Sequence, residues 1–279
     1  MFERFCAEIG RVPFPASEET LCLWISDMLL HRKKLTTVCR YVAGVAHYHV
    51  AHGAETPLTA YVRHILAGAR QILSEQPRQV QPLTVDHLRA IAELLQAERS
   101  DTGARNLSII TLGFASALRR SNLAWMQMAD LEFCGEQGLR IHIRREKNDR
   151  AREGRWIGVP YTRDAAICAV RSLEAWLRIR GTGDGPVYTR LDPARRGPLE
   201  PLTPNAILEL VKRAARRVDP SRRWGSHSLR AGLISAAGVR NISPLIIARQ
   251  SGHRNPESLA RYFRPDDVFA GNVVELLGL

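Results

Sequence analysis

The sequence predicts a mainly helical protein of two domains with one small β-hairpin or sheet. Three observations carry that expectation. Apolar residues recur at helical spacing along most of the 279-residue chain. A polar run bounded by prolines, Gln76-Pro77-Arg78-Gln79-Val80-Gln81-Pro82, lacks any periodicity and separates two such regions. Only Leu139 to Ile143 and Trp156 to Val159 alternate apolar with polar residues. The boundary is therefore expected at about residue 80, giving an N-terminal helical domain over 1–80 and a larger C-terminal domain over 81–279. At 45% hydrophobic residues, each part can bury a core.

The first domain reads as consecutive helices. Ser17, Glu18 and Glu19 open one, with Leu21, Leu23, Trp24, Ile25, Met28 and Leu29 as its apolar face. A second runs from about Thr36 to His52 and stops at Gly53, because glycine tolerates the left-handed turn that ends a helix. Its Arg40, Tyr41, His47, Tyr48 and His49 mix basic and aromatic character. A third starts near Thr59 and carries Arg63, His64 and Arg70. Such faces suit a module lying across DNA, and equally a small bundle with solvated charges.

In the second domain Thr84 is positioned to cap a helix with Val85, Leu88, Ile91, Leu94 and Leu95 on one face. An apolar helix follows from Leu107 to Leu118. The two alternating stretches then flank a charged turn, Arg144 to Arg155. Helices are expected to resume near Thr162, Pro204, His227, Pro244, Pro256 and Asp266. Thr203-Pro204, Ser243-Pro244 and Asn255-Pro256 each pair a cap with a proline in the first turn, where its missing N–H costs nothing.

Bulk chemistry narrows the function. The net charge is +12, which points to a polyanionic partner, most simply nucleic acid. The five cysteines (Cys6, Cys22, Cys39, Cys134, Cys168) are odd in number and far apart, without paired zinc spacing; free thiols in a reducing compartment are expected. No opening apolar run suggests a signal peptide, and no stretch is long and apolar enough for a membrane span. A cytoplasmic protein with no metal and no cofactor is the expectation.

The densest chemistry lies between Trp224 and Phe263. His227 and Arg230 are three apart, one helical turn; His253 follows, and Tyr262 stands nine residues after it. A cation, two imidazoles and a phenol suit a single phosphate. Cleaving a phosphodiester without metal needs fixed cations for the transition-state charge, a nucleophile, and a proton for the leaving oxygen. Arginine fits the first task because its planar fork binds two phosphate oxygens and stays charged. Arg230 is one such arginine. Arg119, at the end of the apolar helix, is a second candidate, although the helix dipole alone favours a cation there.

These residues together resemble the tyrosine recombinase, or phage integrase, family, which includes Cre-like and Xer-like proteins. The family's first arginine box is like GLRxSEL, and Ala117-Leu118-Arg119-Arg120-Ser121-Asn122-Leu123 matches it with Arg119 in the arginine slot. Lys147 corresponds to the hairpin lysine, although Arg144, Arg145 and Arg150 compete for that role. His227-Ser228-Leu229-Arg230 is the HxxR box, Ser251-Gly252-His253-Arg254 the LGH-like box, and Tyr262 fills the nucleophile slot. The likeness spans roughly residues 84–279, and more loosely the helical core-binding domain over 1–75.

The resemblance implies a helical core-binding domain joined to a mixed α/β catalytic domain, clamped on duplex DNA. It implies that Tyr262 attacks the scissile phosphate to give a 3′-phosphotyrosine. Arg119 and Arg230 would hold the non-bridging oxygens, His227 would assist proton transfer and His253 would hydrogen-bond the phosphate. Lys147 would protonate the leaving 5′ oxygen, with neither ATP nor metal required. Partners are then double-stranded DNA with a specific target site and, on synapsed DNA, a homo-tetramer formed from monomers. A C-terminal helix over about 266–279 would dock in a neighbouring protomer. The setting would be the nucleoid of a bacterial cell, with the chain encoded there or by a phage or mobile element. Asn122 departs from the acidic residue usual three positions after the first arginine. A type IB topoisomerase-like or telomere-resolvase-like strand transferase, or a non-catalytic DNA-binding regulator of the same fold, stays open as an alternative.

Overall fold

The computed structural model describes residues 1–73, 80–144, 154–191, 200–253, 255, 257 and 259. Contacts divide the chain into two compact units, Met1–Arg78 and Gln79–Leu279.

The first unit holds α1 (Phe2–Glu8), α2 (Glu18–Leu30), α3 (Leu35–Ala51) and α4 (Ala60–Leu73). Ser17 caps α2 by accepting the Thr20 N–H at 3.2 Å. The expected apolar face of α2 supplies Leu21, Trp24, Ile25 and Met28 to a core completed by Val38, Val42 and Val62; Leu23 stays exposed. His49 is no surface cation. It is buried, its Nδ1 lies 2.8 Å from Val45 O, and its Nε2 accepts the Ala16 N–H at 2.8 Å. A nitrogen facing a carbonyl must carry the proton, so His49 is a neutral latch holding the Ala16 segment on α3.

The second unit is built around α6 (Asp101–Ser116). Ile109, Ile110 and Leu112 of α6 are fully buried. They lie among α5 (Val85–Ala97), α8 (Ala169–Arg180), α9 (Pro204–Val218) and α10 (His227–Val239), with α7 (Arg120–Trp125) and α11 (Pro244–Ser251) completing the helices. Thr84, Ser100 and Thr203 cap their helices through side-chain oxygens, each satisfying an N–H that the first turn leaves unpaired. Tyr188 is fully buried with its hydroxyl 3.0 Å from Ser108 Oγ, and burial pushes its phenol well above the usual tyrosine range.

A three-stranded antiparallel sheet, β1 (Leu131–Phe133), β2 (Leu139–Ile143) and β3 (Arg155–Val159), lies against this core in the order β1-β2-β3. Ile141 pairs with Ile157 and with Leu131. The alternation has its usual physical result: Leu139, Ile141, Ile143, Ile157 and Val159 point inward. On the outer face Trp156 stacks on His142 at 4.8 Å, with Arg140 over its ring. β1 has no sequence signal, being three residues long with one half-buried side chain.

The helix expected near Thr162 is corrected: α8 begins at Ala169. Thr162 Oγ1 donates to Asp164 O at 3.0 Å, and Asp164 Oδ1 accepts the Ala166 N–H at 3.2 Å. These local bonds cap a single 3-10 turn, Ala165–Ile167, in place of an α-helix start. The helices expected at Pro256 and Asp266 fall largely or wholly outside the described residues. Among the described residues no helix is long and apolar enough to cross a membrane.

Candidate active site in the second unit

Four elements position the candidate residues, starting with the end of α6. The helix stops because Ala117 adopts the left-handed conformation, φ 51° and ψ 27°. Arg119 is therefore not in the last turn of the apolar helix. It stands in extended backbone as the residue before α7, and its carbonyl accepts the Asn122 N–H at 2.9 Å. Arg120 Nη1 donates to Asn205 Oδ1 at the start of α9.

The second element is α10. Its entry is fixed by the extended segment before α5, where the Leu83 N–H donates to Ser228 O at 2.9 Å. Gly232 lies against this segment; a Cβ there would sit 2.0 Å from Leu83 O and 2.8 Å from Phe114 Cε2. α10 thus lies closer to the Leu83 backbone than any side-chain-bearing residue permits. His227 opens the helix and is exposed, and Arg230 comes one turn later with only 2% exposure.

A guanidinium this deep must be hydrogen-bonded, because burying a bare charge is costly. Arg230 Nη1 donates to Ala117 O at 2.7 Å, and Nη2 lies 3.1 Å from His253 Nε2. The left-handed turn at Ala117 and the buried arginine are thus one construction. The turn aims a carbonyl at Arg230 and, two residues on, brings in Arg119.

The third element is α11. Ile247 and Ala248 pack with Ile234 of α10 and with Leu259. Gly252 ends α11 with φ 70° and ψ 36°, and the chain reverses so that the His253 N–H donates to Ala248 O at 3.1 Å. That reversal carries the His253 ring to Arg230. Ser251 Oγ lies 2.7 Å from His253 Nδ1 and 2.6 Å from Ile247 O.

The turn end of the β2–β3 hairpin is the fourth element. Arg155, the first residue of β3, donates from Nη1 to Arg249 O at 3.1 Å and Gln250 O at 3.3 Å. Gln250 Nε2 donates to Ala115 O at 3.0 Å. The hairpin, α6 and α11 therefore meet within a few residues of His253. Arg144, one of the alternatives to Lys147, is engaged elsewhere: its Nε donates to Asp130, which is 3% exposed. Lys147 and Tyr262 lie outside the described residues.

The structure thus joins Arg230 and His253 directly. Arg119 adjoins the loop that holds Arg230, and His227 stands one turn before it. Sequence reasoning missed Ser251, Gln250, Arg155 and the Ala117 carbonyl. Ser251 had a signal, since it fills the leucine slot of the LGH-like box, and Ala117 fills the glycine slot of the first arginine box; Gln250 and Arg155 act on backbone carbonyls, which no residue pattern reports. Of the basic residues beyond this site, Lys212, Arg217 and Arg222 pair with Glu209, Glu98 and Asp219, while Arg213 and Arg216 are exposed.

Comparison with known proteins follows the same lines. The phage integrase family model matches residues 81–268. An integrase/recombinase xerD homolog of Selenomonas ruminantium is 31% identical over 281 residues, covering 98% of this chain and 81% of the relative. A tyrosine recombinase of Synechococcus elongatus is 30% identical over 190 residues, 66% of this chain and 55% of that protein. Among solved structures, the Tn1549 transposon integrase in complex with a circular intermediate DNA superposes with a TM-score of 0.67 at 12% identity, covering 94% of this chain and 85% of the other. A lambda integrase dimer bound to a COC' core site gives 0.60 at 15% identity, covering 89% and 64%. The two structural likenesses speak to fold alone. Family model and relatives together settle the class: the chain belongs to the phage integrase family, the tyrosine recombinases.

Proposed function

We propose that this protein is a site-specific recombinase that cleaves and rejoins duplex DNA through a 3′-phosphotyrosine. In the cleavage step the Tyr262 oxygen forms a bond to phosphorus as the bond from phosphorus to the 5′ oxygen breaks. Arg119 and Arg230 neutralise the non-bridging oxygens, where negative charge builds up in the transition state. His253 hydrogen-bonds the phosphate and His227 assists removal of the tyrosine proton. Lys147 delivers a proton to the leaving 5′ oxygen. The 5′-hydroxyl of a partner strand reverses these steps. The phosphotyrosine conserves the bond, so no external energy source enters the balance.

The observation that supports this most is the contact between buried Arg230 and His253. It brings together residues 23 positions apart that belong to separate family boxes. The Met1–Arg78 unit would serve as the helical core-binding domain and residues 81–279 as the catalytic domain. Double-stranded DNA carrying a specific site is the substrate, and a homo-tetramer on two synapsed sites is the working assembly. The reaction would take place on the nucleoid in the bacterial cytoplasm.

A nicked suicide duplex carrying the target site tests the reading. The wild-type chain forms a covalent adduct that survives a denaturing gel, and Tyr262→Phe forms none. A wild type that binds the duplex without forming an adduct, or an undiminished adduct with Tyr262→Phe, rejects it.

A further inference from the structure

We propose that His142 is a positioning residue: wedged between Trp156 and the Gly154 backbone, it sets the exit of the charged turn that carries Lys147, and so the reach of the proton donor to the leaving oxygen. The bearing on catalysis rests on the functional reading above; the packing does not.

β2 and β3 pair antiparallel, and Ile143 opposite Arg155 is the last pair before the turn. Ile141, Ile143 and Ile157 are buried beneath the strands. The pleat sends the alternate side chains to the outer face, and there His142 stands directly opposite Trp156. The two rings stack, with centroids 4.8 Å and planes 19° apart. The Arg140 guanidinium lies 4.8 Å from the centroid of the Trp156 ring, and Glu132 of β1 pairs with that arginine at 3.0 Å. A row of side chains, Glu132, Arg140, Trp156 and His142, thus crosses the outer face towards the turn.

The row ends on the backbone at Gly154. This residue has φ 67°, and a Cβ there would lie 2.9 Å from His142 Nε2 and 2.8 Å from Ile143 O. The chain leaving the turn therefore runs against the imidazole with no room for a side chain. Position 154 requires glycine twice, by conformation and by space. Trp156 is 48% exposed, so core burial does not account for an indole here. Its stacking on the cross-strand histidine does. With Trp156 on one side and Gly154 on the other, the imidazole is a spacer between the end of the strand pair and the turn's exit. The turn's entry is held separately, by Arg144 on Asp130.

Lys147 falls between these two ends, three residues after Arg144 and seven before Gly154. A general acid must come within hydrogen-bond reach of the oxygen that it protonates. Misplacement by about 1 Å can cost about 100-fold in rate.

Two measurements on the full chain test the proposal. The first is trypsin cleavage read by mass spectrometry, since Arg144, Arg145, Lys147, Arg150 and Arg152 make the turn a substrate. Cleavage at these sites should be faster in His142→Ala and in Trp156→Ala than in the wild type, with cleavage elsewhere unchanged. Trp156→Tyr, which keeps a stacking ring, should stay near the wild type. The second compares two suicide duplexes, one with the ordinary 5′ oxygen at the scissile phosphate and one with sulfur in its place. When the bond from phosphorus to sulfur breaks, its electron pair stays on sulfur. A thiol has a pKa of about 8.5, so the thiolate leaves without a proton. A displaced donor therefore slows the oxygen substrate alone. His142→Ala and Trp156→Ala should form the adduct about 10- to 100-fold more slowly on oxygen and at the wild-type rate on sulfur, with DNA binding unchanged. Lys147→Ala should show the same pattern more strongly, by about 100-fold or more on oxygen.

Turn cleavage no faster in either variant, or faster cleavage throughout the chain, removes the wedge and overturns the proposal. Equal losses on both duplexes, or weakened DNA binding, overturn it too, by making the stack a general support or a DNA contact. A wild type that forms no adduct on either duplex rejects the recombinase reading, and the trypsin rates then decide the positioning by themselves.

Discussion

At the scale of single residues, Ala117 shows how the site is held under strain. Its left-handed backbone costs an alanine about 1–2 kcal/mol relative to the ordinary region. Glycine would remove that strain but would lose a fully buried methyl, about 0.8 kcal/mol, and give up roughly 0.5–1 kcal/mol of chain entropy. These terms nearly cancel, which explains how alanine serves where the family box has glycine. Ala117→Gly should therefore change stability by no more than about 1 kcal/mol in urea unfolding. Ala117→Val should cost more than about 2 kcal/mol, because a β-branched residue is excluded from that conformation. It should also weaken adduct formation by displacing the carbonyl that holds Arg230. Equal tolerance of valine and glycine would refute the left-handed turn.

At the scale of elements, the approach of α10 to the Leu83 segment sets where His227 and Arg230 stand. A methyl at Gly232 would meet a backbone carbonyl at 2.0 Å, and a carbonyl fixed by the neighbouring Leu83 N–H bond cannot swing aside. The helix itself must move. Gly232→Ala is expected to cost about 1–3 kcal/mol or more of stability, the usual range for overpacking. Its loss of adduct formation should be larger, since a displacement of about 1 Å can cost about 100-fold in rate. Gly44→Ala in α3 is the control: a Cβ there meets nothing within 4 Å, and the change should stabilise by about 0.5–1 kcal/mol. Thermal unfolding of both variants checks the contrast, and a neutral Gly232→Ala would remove the close approach from the account. The same scale explains Gln250 and Arg155. Both tie α11 to its neighbours through main-chain carbonyls, so the position of His253 depends on side chains that carry no catalytic chemistry.

For the whole molecule, the net charge of +12 and the proposed tetramer lead to one experiment with two readouts. DNA affinity of the full chain should fall steeply and linearly in log–log form with salt, by about 0.9 for each phosphate neutralised. A chain lacking residues 266–279 should bind a single site with the same affinity and salt slope but fail to pair two sites. Gel-shift titration measures the first and sedimentation of synapsed complexes the second. Wild-type tetramers from the shortened chain would sink the exchange-helix proposal. The geometry behind that proposal is a contact between unlike surfaces that closes into a ring.

Much of the fold and part of the site are legible without coordinates. The helices of the first unit, the capped starts at Thr84, Thr203 and Ser243, and the strands β2 and β3 follow from periodicity and capping chemistry, which act over a few residues. The turn at Thr162 and the strand β1 do not, because a short local bond network and an edge pairing leave no periodic trace. The candidate set Arg119, Lys147, His227, Arg230, His253 and Tyr262 comes from short boxes of residue types at set spacing; of these the structure brings Arg230 and His253 into contact, and Lys147 and Tyr262 lie outside the described residues. What only the tertiary structure decides is how Arg230 and His253 are held. The left-handed Ala117 carbonyl, the methyl-free face of Gly232 and the Ser251 hydroxyl set that geometry. Each acts through backbone shape or a contact distant in sequence, and neither quantity is encoded in residue identity at one position.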